Sequence, residues 1–474
     1  MPPLTKNIIG TIELKPRTAQ IAASTDVLIV GGGPAGIGAA VGAARAGAKV
    51  ILVEQYGFLG GAATAQLVNP FMSAHTQESL LRRGGKMTMY PVDHGHGERV
   101  IKGLLVELVK RLLEKNGAVE PSEETGFLMP FDPEILKVVL MDLIDDSGVE
   151  VLFHSFASSF LPDKDNPGVV FETKSGPVIV KAKCIVDCTG DGDIAVSAGA
   201  PFEIGRECDS LVQPMTLYFR MGGFQREPFY NYIKVHPEQW YGVFGLWDLI
   251  KKASREGMPD LPREDLLMFP SPHPNEVSVN STRVVKVLGV DVWDLSKAEW
   301  ESRRQVQQVA QFLTSYVPGF ENAYLIQTGV QVGIRETRRI VGDYKLSGED
   351  VIEARKFPDC IARCAYPLDI HNPLGKGTHL ERLPPGESYD IPLRSLFPKN
   401  CDRLLVAGRC ISGSHEAHSS YRIMPEAMAT GQAAGVTAAL SAIENRDIRA
   451  LKLNVIQNEL FRQGVDMGDS IGNL

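Results

Sequence analysis

The sequence predicts an α/β fold in which a parallel sheet carries an inserted segment. Three observations predict it. A short apolar run at residues 26–30 leads into a glycine turn and an alanine-rich helix. Two later apolar runs, at residues 183–187 and 403–407, also end in turns that contain glycine. Between about residues 202 and 331 the alternation of strand and helix becomes irregular, which indicates an insertion.

The first element is a strand that runs into a glycine turn and a helix. Residues 26–30 are apolar after Asp26, which predicts a strand buried on both faces. Gly31, Gly33 and Gly36 form a GxGxxG pattern that opens the helix predicted at residues 37–46. Gly31 permits the tight turn, Gly33 lets the backbone approach a pyrophosphate, and Gly36 allows close helix–strand packing. Free N–H groups at the helix start favour the phosphates. The unit therefore predicts a dinucleotide site.

The next strand, at residues 49–53, ends in Glu54. A carboxylate at this position accepts hydrogen bonds from both ribose hydroxyls and disfavours a 2′-phosphate. The motif alone does not separate NAD from FAD. Beyond the acid, Gly60 and Gly61 let another loop run close to a ligand. This second glycine pair favours a cofactor that extends well past its adenosine end.

The last third of the chain adds one more strand and a long helix. Residues 403–407 predict a third such strand, which ends in Ala407-Gly408. Pro425 occupies a good first position for a helix that runs to about Ala442. Gly431, Ala434 and Gly435 predict close packing of this helix on its neighbours.

The middle of the chain is less regular. We predict strands at residues 213–221 and 278–285 and a polar amphipathic helix at 296–316. An aromatic-rich stretch at 224–247 either lines a pocket or lid, or packs the insertion's own core or a subunit interface. Residues 375–387 are polar and turn-rich, which predicts a surface loop.

The composition is that of an ordinary globular protein. Its 474 residues, 44% of them hydrophobic, suffice for two or three domains or for one large unit with an insertion. A net charge of -8 without a Lys/Arg-rich run argues against nucleic-acid binding. Residues 1–23 lack the apolar core of a signal peptide, and the uncharged stretch 27–44 is too rich in glycine for a membrane span. Seven dispersed cysteines predict no disulfide framework, so we expect a cytoplasmic protein.

Together these motifs resemble the single-chain FAD-dependent oxidoreductases of the glutathione-reductase-like fold, which are related to the fumarate reductase and succinate dehydrogenase flavoproteins. The residues that carry the resemblance follow the family's order along almost the whole chain; they are 31–36 with Glu54, 59–64, 188–193, 333–342, 405–412 and 422–425. The resemblance implies a Rossmann-like FAD-binding domain of the glutathione-reductase type with an inserted α+β substrate or cap domain. The implied boundaries are 20–205 and 332–450 for the FAD-binding domain, 206–331 for the insertion and 451–474 for a C-terminal extension.

The resemblance also implies non-covalent FAD. Adenosine would lie at Glu54, the pyrophosphate at the first glycine turn, and the flavin near the start of the Pro425 helix. The cofactor-binding residues expected from it are Gly31, Gly33, Pro34, Ala35, Gly36, Glu54, Gln55, Gly60, Gly61, Ala62, Thr189, Gly190, Asp191, Gly408, Arg409, Met424 and Pro425. Respiratory-type relatives attach their flavin through a histidine before the glycine pair. Residues 55–59 contain none, and His75 is the alternative for a covalent link.

Candidate catalytic residues cluster between Arg409 and the Pro425 helix. His415, His418 and Tyr421 are candidate general acids or bases, and Arg422 could bind a carboxylate or stabilise an oxyanion. The alternative for each histidine is that it holds the loop by hydrogen bonds.

Arginines further upstream form a second candidate set. In fumarate-reductase relatives an arginine donates the proton, so Arg335 or Arg338 is a candidate for substrate contact. Salt bridges with Glu336 are the alternative for at least one of them. His371 is a weaker third candidate. We expect no metal site.

The expected function is that of an FAD-dependent dehydrogenase or oxidase that moves a hydride between a small organic substrate and flavin N5. A flavin-dependent monooxygenase and the flavoprotein subunit of an electron-transfer complex remain alternatives. The sequence has no second GxGxxG motif and no CxxC-type redox pair, which argues against a disulfide reductase. We expect a homo-oligomer such as a homodimer, and an electron-acceptor protein is a candidate partner.

Overall fold

The chain folds as a mixed α/β protein. The computed structural model describes residues 3–4, 6–72, 74–77, 88–91 and 95–468, so the last six residues of the expected C-terminal extension lie outside it. The strands are β1 (Gln20–Val30), β2 (Val50–Val53), β3 (His75–Gln77), β4 (His96–Arg99), β5 (Glu150–Leu152), β6 (Phe156–Leu161), β7 (Gly168–Thr173), β8 (Gly176–Asp187), β9 (Phe202–Ile204), β10 (Phe219–Gly222), β11 (Trp240–Tyr241), β12 (Phe244–Gly245), β13 (Leu266–Pro270), β14 (Glu276–Val279), β15 (Tyr324–Thr328), β16 (Arg338–Ile340), β17 (Cys360–Cys364), β18 (Leu368–His371), β19 (Thr378–Glu381), β20 (Tyr389–Pro392) and β21 (Leu404–Val406). The α-helices are α1 (Pro34–Arg45), α2 (Leu104–Glu114), α3 (Pro133–Asp146), α4 (Asp193–Ser197), α5 (Arg226–Val235), α6 (Trp247–Arg255), α7 (Val292–Tyr316), α8 (Gly348–Ile352), α9 (His415–Tyr421), α10 (Met424–Glu444) and α11 (Leu453–Arg462).

The larger sheet is mixed. Its strand order is β5-β2-β1-β8-β7-β6, and β21 also pairs with β8. The pairs β5–β2, β2–β1, β1–β8 and β8–β21 are parallel, whereas β7 joins β8 and β6 in antiparallel fashion. The last four residues of β1 and all of β2 are buried, as expected for apolar strands covered on both faces. The three strands predicted to end in glycine turns therefore lie side by side.

Helices α1 and α10 pack closely against each other. Pro34 is the first residue of α1, and its fixed φ suits a helix start. Glycines on the facing sides let the two backbones touch. An added Cβ at Gly431 or Gly435 would lie 2.7 Å from the carbonyl carbon of Ala35 or Ala39, respectively. This contact fixes the start of α10 beside the first glycine turn.

The inserted region forms a second sheet with its own core. Its strand order is β11-β12-β13-β14-β10-β15, and all neighbours are antiparallel. Helix α7 packs on this sheet, and the Asp291 side chain caps its N-terminus by accepting from the N–H groups of Trp293 and Asp294. Phe219, Phe229, Trp240, Phe312 and Phe320 are among the buried members of this core. This region, residues 206–331, is called the cap below.

Three predicted elements differ from the structure. The predicted strand 213–221 is regular only in β10, with isolated bridges at Met215 and Thr216. The predicted strand 278–285 is observed as β14, which ends at Val279. The surface-loop prediction for 375–387 is wrong in part, because β19 pairs with β18 to form a hairpin. Among the helices that the structure describes, none is long and apolar enough to cross a membrane.

Candidate active site

A cavity of about 1490 Å³ opens where the parallel strands of the larger sheet end. Val30, Val53, Cys188 and Gly408 line it, and each ends or closely follows one of these strands. In open α/β sheets, ligands bind at this edge. The volume exceeds the roughly 300–1,000 Å³ of a typical small-molecule pocket. The cavity therefore has room for a dinucleotide together with a second ligand.

The first glycine turn forms one wall of this cavity. Gly31 has a φ of +100°, and an added Cβ there would lie 2.5 Å from the carbonyl oxygen of Cys188. Gly33 caps α1, and an added Cβ there would meet only the Cα of Gly61, at 3.8 Å. The missing side chain at Gly33 thus leaves room at the helix start, where free N–H groups attract phosphate.

Glu54 lies at the end of β2 in the same wall. Its carboxylate accepts the backbone N–H groups of Gly32 at 2.6 Å and of Tyr56 at 2.9 Å. Burial raises the pKa of Glu54 above its ordinary value, against the lowering effect of these two hydrogen bonds. The carboxylate therefore holds the glycine turn in place and also faces the cavity.

The second glycine pair brings another loop against the first. Gly60 and Gly61 both have positive φ, at +109° and +48°. An added Cβ at Gly61 would lie 2.7 Å from the Cα of Gly33, so the two loops touch here. Gly61 lines the cavity, whereas Gly60 supports the turn behind it. The two loops together form a cradle that side chains at these positions would fill.

A third loop follows β8 and is held by a buried carboxylate. Asp187 accepts from the backbone N–H groups of Thr189, Ile194 and Ala195 and from the Thr189 hydroxyl. Burial raises the pKa of Asp187 above its ordinary value. Sequence reasoning missed this residue, although it ends the predicted strand. Its hydrogen bonds fix the loop that contains Asp191.

Asp191 connects this loop to two distant parts of the chain. It accepts from Arg409 Nη2 at 2.9 Å and from the Thr337 hydroxyl at 2.6 Å. Arg338 donates to the Asp191 carbonyl at 2.8 Å and pairs with Asp193. Arg409 Nη1 is buried and has no hydrogen-bond partner among the described residues. An unsatisfied buried donor is costly, so this nitrogen marks a place for a ligand acceptor.

Most of the expected cofactor-binding residues line the cavity; those in its wall are Gly31, Gly33, Pro34, Ala35, Glu54, Gln55, Gly61, Ala62, Thr189, Gly190, Asp191, Gly408, Arg409 and Met424. Gly36, Gly60 and Pro425 lie behind the wall. Gly36 supports the first turn, because an added Cβ there would lie 2.8 Å from the carbonyl carbon of Gly31. The glycine cradle, the carboxylate at the strand end and the orphaned arginine nitrogen fit the FAD expected from the sequence.

His75 lies away from this cavity. It lines a separate, smaller pocket, and its ring stacks on Phe127 with centroids 4.1 Å apart. Arg99 Nε lies 3.4 Å from His75 Nε2. Burial and Arg99 lower the pKa of His75 to about 4. This placement gives no support to His75 as a covalent flavin attachment site.

Three of the candidate catalytic residues do not reach the cavity wall. His415 Nδ1 lies 2.9 Å from Glu336 Oε1. The Tyr421 hydroxyl donates to the Ile411 carbonyl at 3.0 Å, and the His418 ring packs edge-on against Tyr421. All three lie on the short helix α9, which directs them into the protein interior. They were expected to contact the ligand because they are close to the glycine turn in sequence. Helix α9 instead turns their side chains away from the cavity.

Arg335 and Arg422 do line the cavity, as do Asp369 and His371 of β18. Arg422 Nη2 lies 3.3 Å from Asp369 Oδ2, and His371 Nε2 lies 3.5 Å from the same oxygen. The Tyr366 hydroxyl donates to it at 3.4 Å. Arg335 Nη1 donates to the Pro214 carbonyl at 2.7 Å and to the Thr216 hydroxyl at 2.6 Å. These side chains are called the Asp369 cluster below; its members are Asp369, His371, Tyr366, Arg335 and Arg422.

The Asp369 cluster is buried, and its protonation states follow from that. Burial and Arg335 lower the pKa of His371 to about 3, so its imidazole is neutral at pH 7. Burial alone raises the pKa of Asp369, but His371, Arg422 and Arg335 together hold it well below its ordinary value. Burial raises the pKa of Tyr366 well above its usual range. The cluster therefore contains an ionised carboxylate, a neutral imidazole and a protonated phenol.

Sequence reasoning found only part of this cluster. Arg335, Arg422 and, as a weaker candidate, His371 were expected. Asp369 and Tyr366 were missed, although they precede His371 in the same short segment. Tyr218 and Arg263 of the cap also line the cavity, and no local pattern singled them out.

The aromatic stretch of the cap divides between two roles. Phe229 and Trp240 are buried in the cap core. Tyr241, Phe244 and Trp247 line the cavity, and Trp240 also lies in its wall. Both alternatives for this stretch, core and pocket wall, therefore hold for different residues.

Comparison with known proteins gives a family match over most of the chain. A family model described as "FAD dependent oxidoreductase" matches residues 26–460. No curated protein sequence matches the chain.

Among solved structures, a p-nitrophenol 4-monooxygenase from Pseudomonas putida is similar over 93% of this chain and 85% of its own, at 11% identity and a TM-score of 0.45. A geranylgeranyl bacteriochlorophyll reductase-like protein from Thermoplasma acidophilum is similar over 94% of this chain and 88% of its own, at 13% identity and a TM-score of 0.43. These scores are too low to carry an argument about activity or substrate.

Proposed function

The chain belongs to the FAD-dependent oxidoreductase family, and we propose that it moves a hydride between a small organic substrate and FAD that is bound without a covalent link. The protein is an enzyme and its cofactor is FAD. Bound FAD supplies the site that accepts or releases the hydride, its N5 atom. The arrangement of the larger sheet and the cap supports the glutathione-reductase type as the subclass of the fold, with the cap as substrate domain.

The cavity wall supplies groups for each part of the cofactor. We assign the adenosine ribose to Glu54 and the pyrophosphate to the α1 N-terminus, where Gly33 leaves room. Gly61, Arg409 and Met424 surround the region proposed for the flavin. Helix α10 begins at Met424, and its partial positive charge stabilises negative charge nearby.

The Asp369 cluster supplies the groups that hold the substrate and its protons. Tyr366 keeps its proton at Oη, 3.4 Å from Asp369 Oδ2. Neutral His371 has its Nδ1 3.2 Å from the Thr378 hydroxyl and its Nε2 3.5 Å from Asp369. These two contacts suit an imidazole that donates from Nε2 and accepts at Nδ1. Tyr366 and His371 are therefore the groups we propose for moving a proton, while His415, His418 and Tyr421 support the structure around Glu336 and Ile411.

The observation that carries this proposal is the continuity of the cavity. One cavity has both the glycine turn with Glu54 and the Asp369 cluster in its wall. A dinucleotide that starts at the glycine turn can thus reach the side chains that would hold a substrate. Aromatic residues of the cap, among them Tyr241, Phe244 and Trp247, line the same cavity.

An absorption spectrum of the purified protein tests the proposal, repeated after acid precipitation and centrifugation. We expect a two-band flavin spectrum that moves into the supernatant, followed by bleaching when substrate is added without oxygen. Colour that stays in the pellet would contradict the non-covalent link. If an oxygen atom from O₂ is incorporated into the product, the enzyme is a monooxygenase and the hydride-transfer proposal is wrong. A flavin that is reduced only in the presence of a copurified partner would favour the electron-transfer subunit.

A further inference from the structure

The charges of the Asp369 cluster do not balance. Asp369 is one carboxylate, and its pKa is lowered by His371 and by the two guanidinium groups of Arg422 and Arg335. Only Arg422 comes within ion-pair distance of it, at 3.3 Å. Among the described residues, Arg335 has no carboxylate within 4.0 Å. His371 adds no charge at pH 7, because its pKa is lowered to about 3.

The neighbouring cap arginines do not change this balance. Arg263 pairs with Asp265 at 3.1 Å, and the side chain of Arg263 is 8% exposed. Arg283 has its Nη1 3.9 Å from Glu264 Oε2. The field of Arg263 still reaches Arg335, where burial, Arg422 and Arg263 lower the pKa to about 9. Arg335 stays protonated at pH 7, so one positive charge is left over.

A buried charge without a partner is costly. A protein retains one when a ligand or a hydrogen-bond network compensates it. Within the described part of the chain, the hydrogen bonds of Arg335 use Nη1 alone, on the Pro214 carbonyl and the Thr216 hydroxyl. In addition, Arg422 Nε is buried without a hydrogen-bond partner among the described residues. Two guanidinium groups thus keep donors available at one place in the cavity wall.

The other surface next to this cluster is apolar. Arg263 lies shortly before β13, where Leu267 and Phe269 line the cavity. Phe244 of β12 pairs with Leu267 in the sheet, and its side chain also lines the cavity. The aromatic wall of the cap therefore continues from the arginines along the same strands.

We propose that Arg335 and Arg422 bind the carboxylate of the substrate, and that the substrate is a monocarboxylic acid whose apolar or aromatic body lies against Leu267, Phe269 and Phe244. This inference rests on the proposed function and names its substrate class. One surplus positive charge suits one carboxylate, and planar guanidinium groups match it with paired hydrogen bonds. A second carboxylate on the apolar side would be buried without a partner.

Calorimetric titration of the purified holoenzyme tests this proposal, with benzoate, benzamide and succinate as probes. Benzamide has the shape of benzoate without its charge, and succinate has two charges without the ring. We expect benzoate to bind at least about tenfold more tightly than either probe. Benzamide that binds as tightly as benzoate, or succinate that binds more tightly, would overturn the proposal.

Variants separate the role of Arg335 from a general loss of structure. Arg335→Gln should weaken benzoate binding by at least about tenfold and leave benzamide binding unchanged. Arg335→Lys keeps the charge and should recover part of the loss. Arg446→Gln, at an exposed arginine far from the cavity, is the matched control and should bind both probes as the wild type does. If Arg335→Gln binds benzoate normally, Arg335 does not hold the carboxylate.

Flavin content, measured on the same samples, distinguishes this proposal from the proposed function. A protein without flavin would contradict the proposed function. Calorimetry would still show whether Arg335 and Arg422 bind the carboxylate of benzoate. If compounds without a carboxylate reduce the flavin, and benzoate binds no more tightly than benzamide, the substrate class is wrong while the proposed function stands.

Discussion

Glu54→Gln tests the assignment of the adenosine ribose. The two carboxylate oxygens of Glu54 accept different backbone N–H groups, Gly32 at Oε2 and Tyr56 at Oε1. Glutamine has the same shape but only one acceptor oxygen. Its NH₂ group would face one of these two N–H groups, and the amide would also lose an acceptor for the ribose.

Both losses have a calculable size. A buried N–H group left without an acceptor costs about 1–3 kcal/mol, so the apoprotein should lose about that much stability. A hydrogen bond to a charged acceptor contributes about 1.5–3 kcal/mol. The dissociation constant of FAD should therefore rise by about tenfold or more, since 1.4 kcal/mol corresponds to a factor of ten.

The assay has two parts. Urea unfolding of the apoprotein measures the first loss, and fluorescence titration of the apoprotein with FAD measures the second. Glu353→Gln, at an exposed side chain, is the matched control and should change neither quantity. If Glu54→Gln lowers the stability of the apoprotein while FAD binds within about twofold of the wild type, Glu54 holds the glycine turn and does not bind the ribose.

Three further predictions follow from the packing and the buried acids. Gly435→Ala places a Cβ 2.7 Å from the Ala39 carbonyl carbon, so urea unfolding should show a loss of about 1–3 kcal/mol, whereas Gly10→Ala, with open space around it, should show none. Tyr421→Phe removes the hydrogen bond to Ile411 outside the cavity; stability should fall by about 1 kcal/mol, and a flavin reduction rate that also falls a hundredfold would show that Tyr421 takes part in the reaction. Burial raises the pKa of Glu426 from its ordinary value of 4.5 to about 8. Between these two pH values the carboxyl of Glu426 is protonated in the folded state and ionised in the unfolded state. Its contribution to stability is therefore complete below pH 4.5 and falls by up to about 1.4 kcal/mol per pH unit until pH 8. Unfolding at pH 6, 7 and 8 should show that Glu426→Gln weakens this dependence, and equal slopes in both proteins would contradict it.

The glycine turn and Glu54 could be predicted because their geometry is local. A strand, a GxGxxG turn, a helix and a second strand ending in an acid are all consecutive, so spacing alone places them together. Helix α10 was predicted for the same reason, with Pro425 at its start. The close contact of α10 with α1 was also indicated, since glycines at helical spacing in an otherwise apolar helix favour touching backbones.

The Asp369 cluster could not be predicted in full, because its members come from separate parts of the chain. Arg335 follows the cap, Asp369 lies on β18, and Arg422 lies after α9. Only the tertiary fold brings them together in one part of the cavity wall. Conversely, His415 and His418 are near the glycine turn in sequence, but both are buried on α9, where His415 contacts Glu336 and His418 packs against Tyr421. Closeness in sequence was therefore a poor guide to the site in two ways. Residues far apart in sequence meet in the cavity wall, and residues close to the glycine turn in sequence point away from it.

The segment that returns from the cap to the larger sheet connects the two halves of the cavity. Arg335 lies at its start and contacts the cap through the Pro214 carbonyl and the Thr216 hydroxyl. Three residues later, Arg338 donates to the carbonyl of Asp191, in the loop whose carboxylate also holds Arg409. The group proposed for the substrate carboxylate and a group on the cofactor side are thus fixed by the same short stretch of backbone. The proposed hydride transfer requires the substrate and the cofactor to lie at a set distance from each other, and one stretch of backbone that positions both fixes that distance more firmly than two independent loops would.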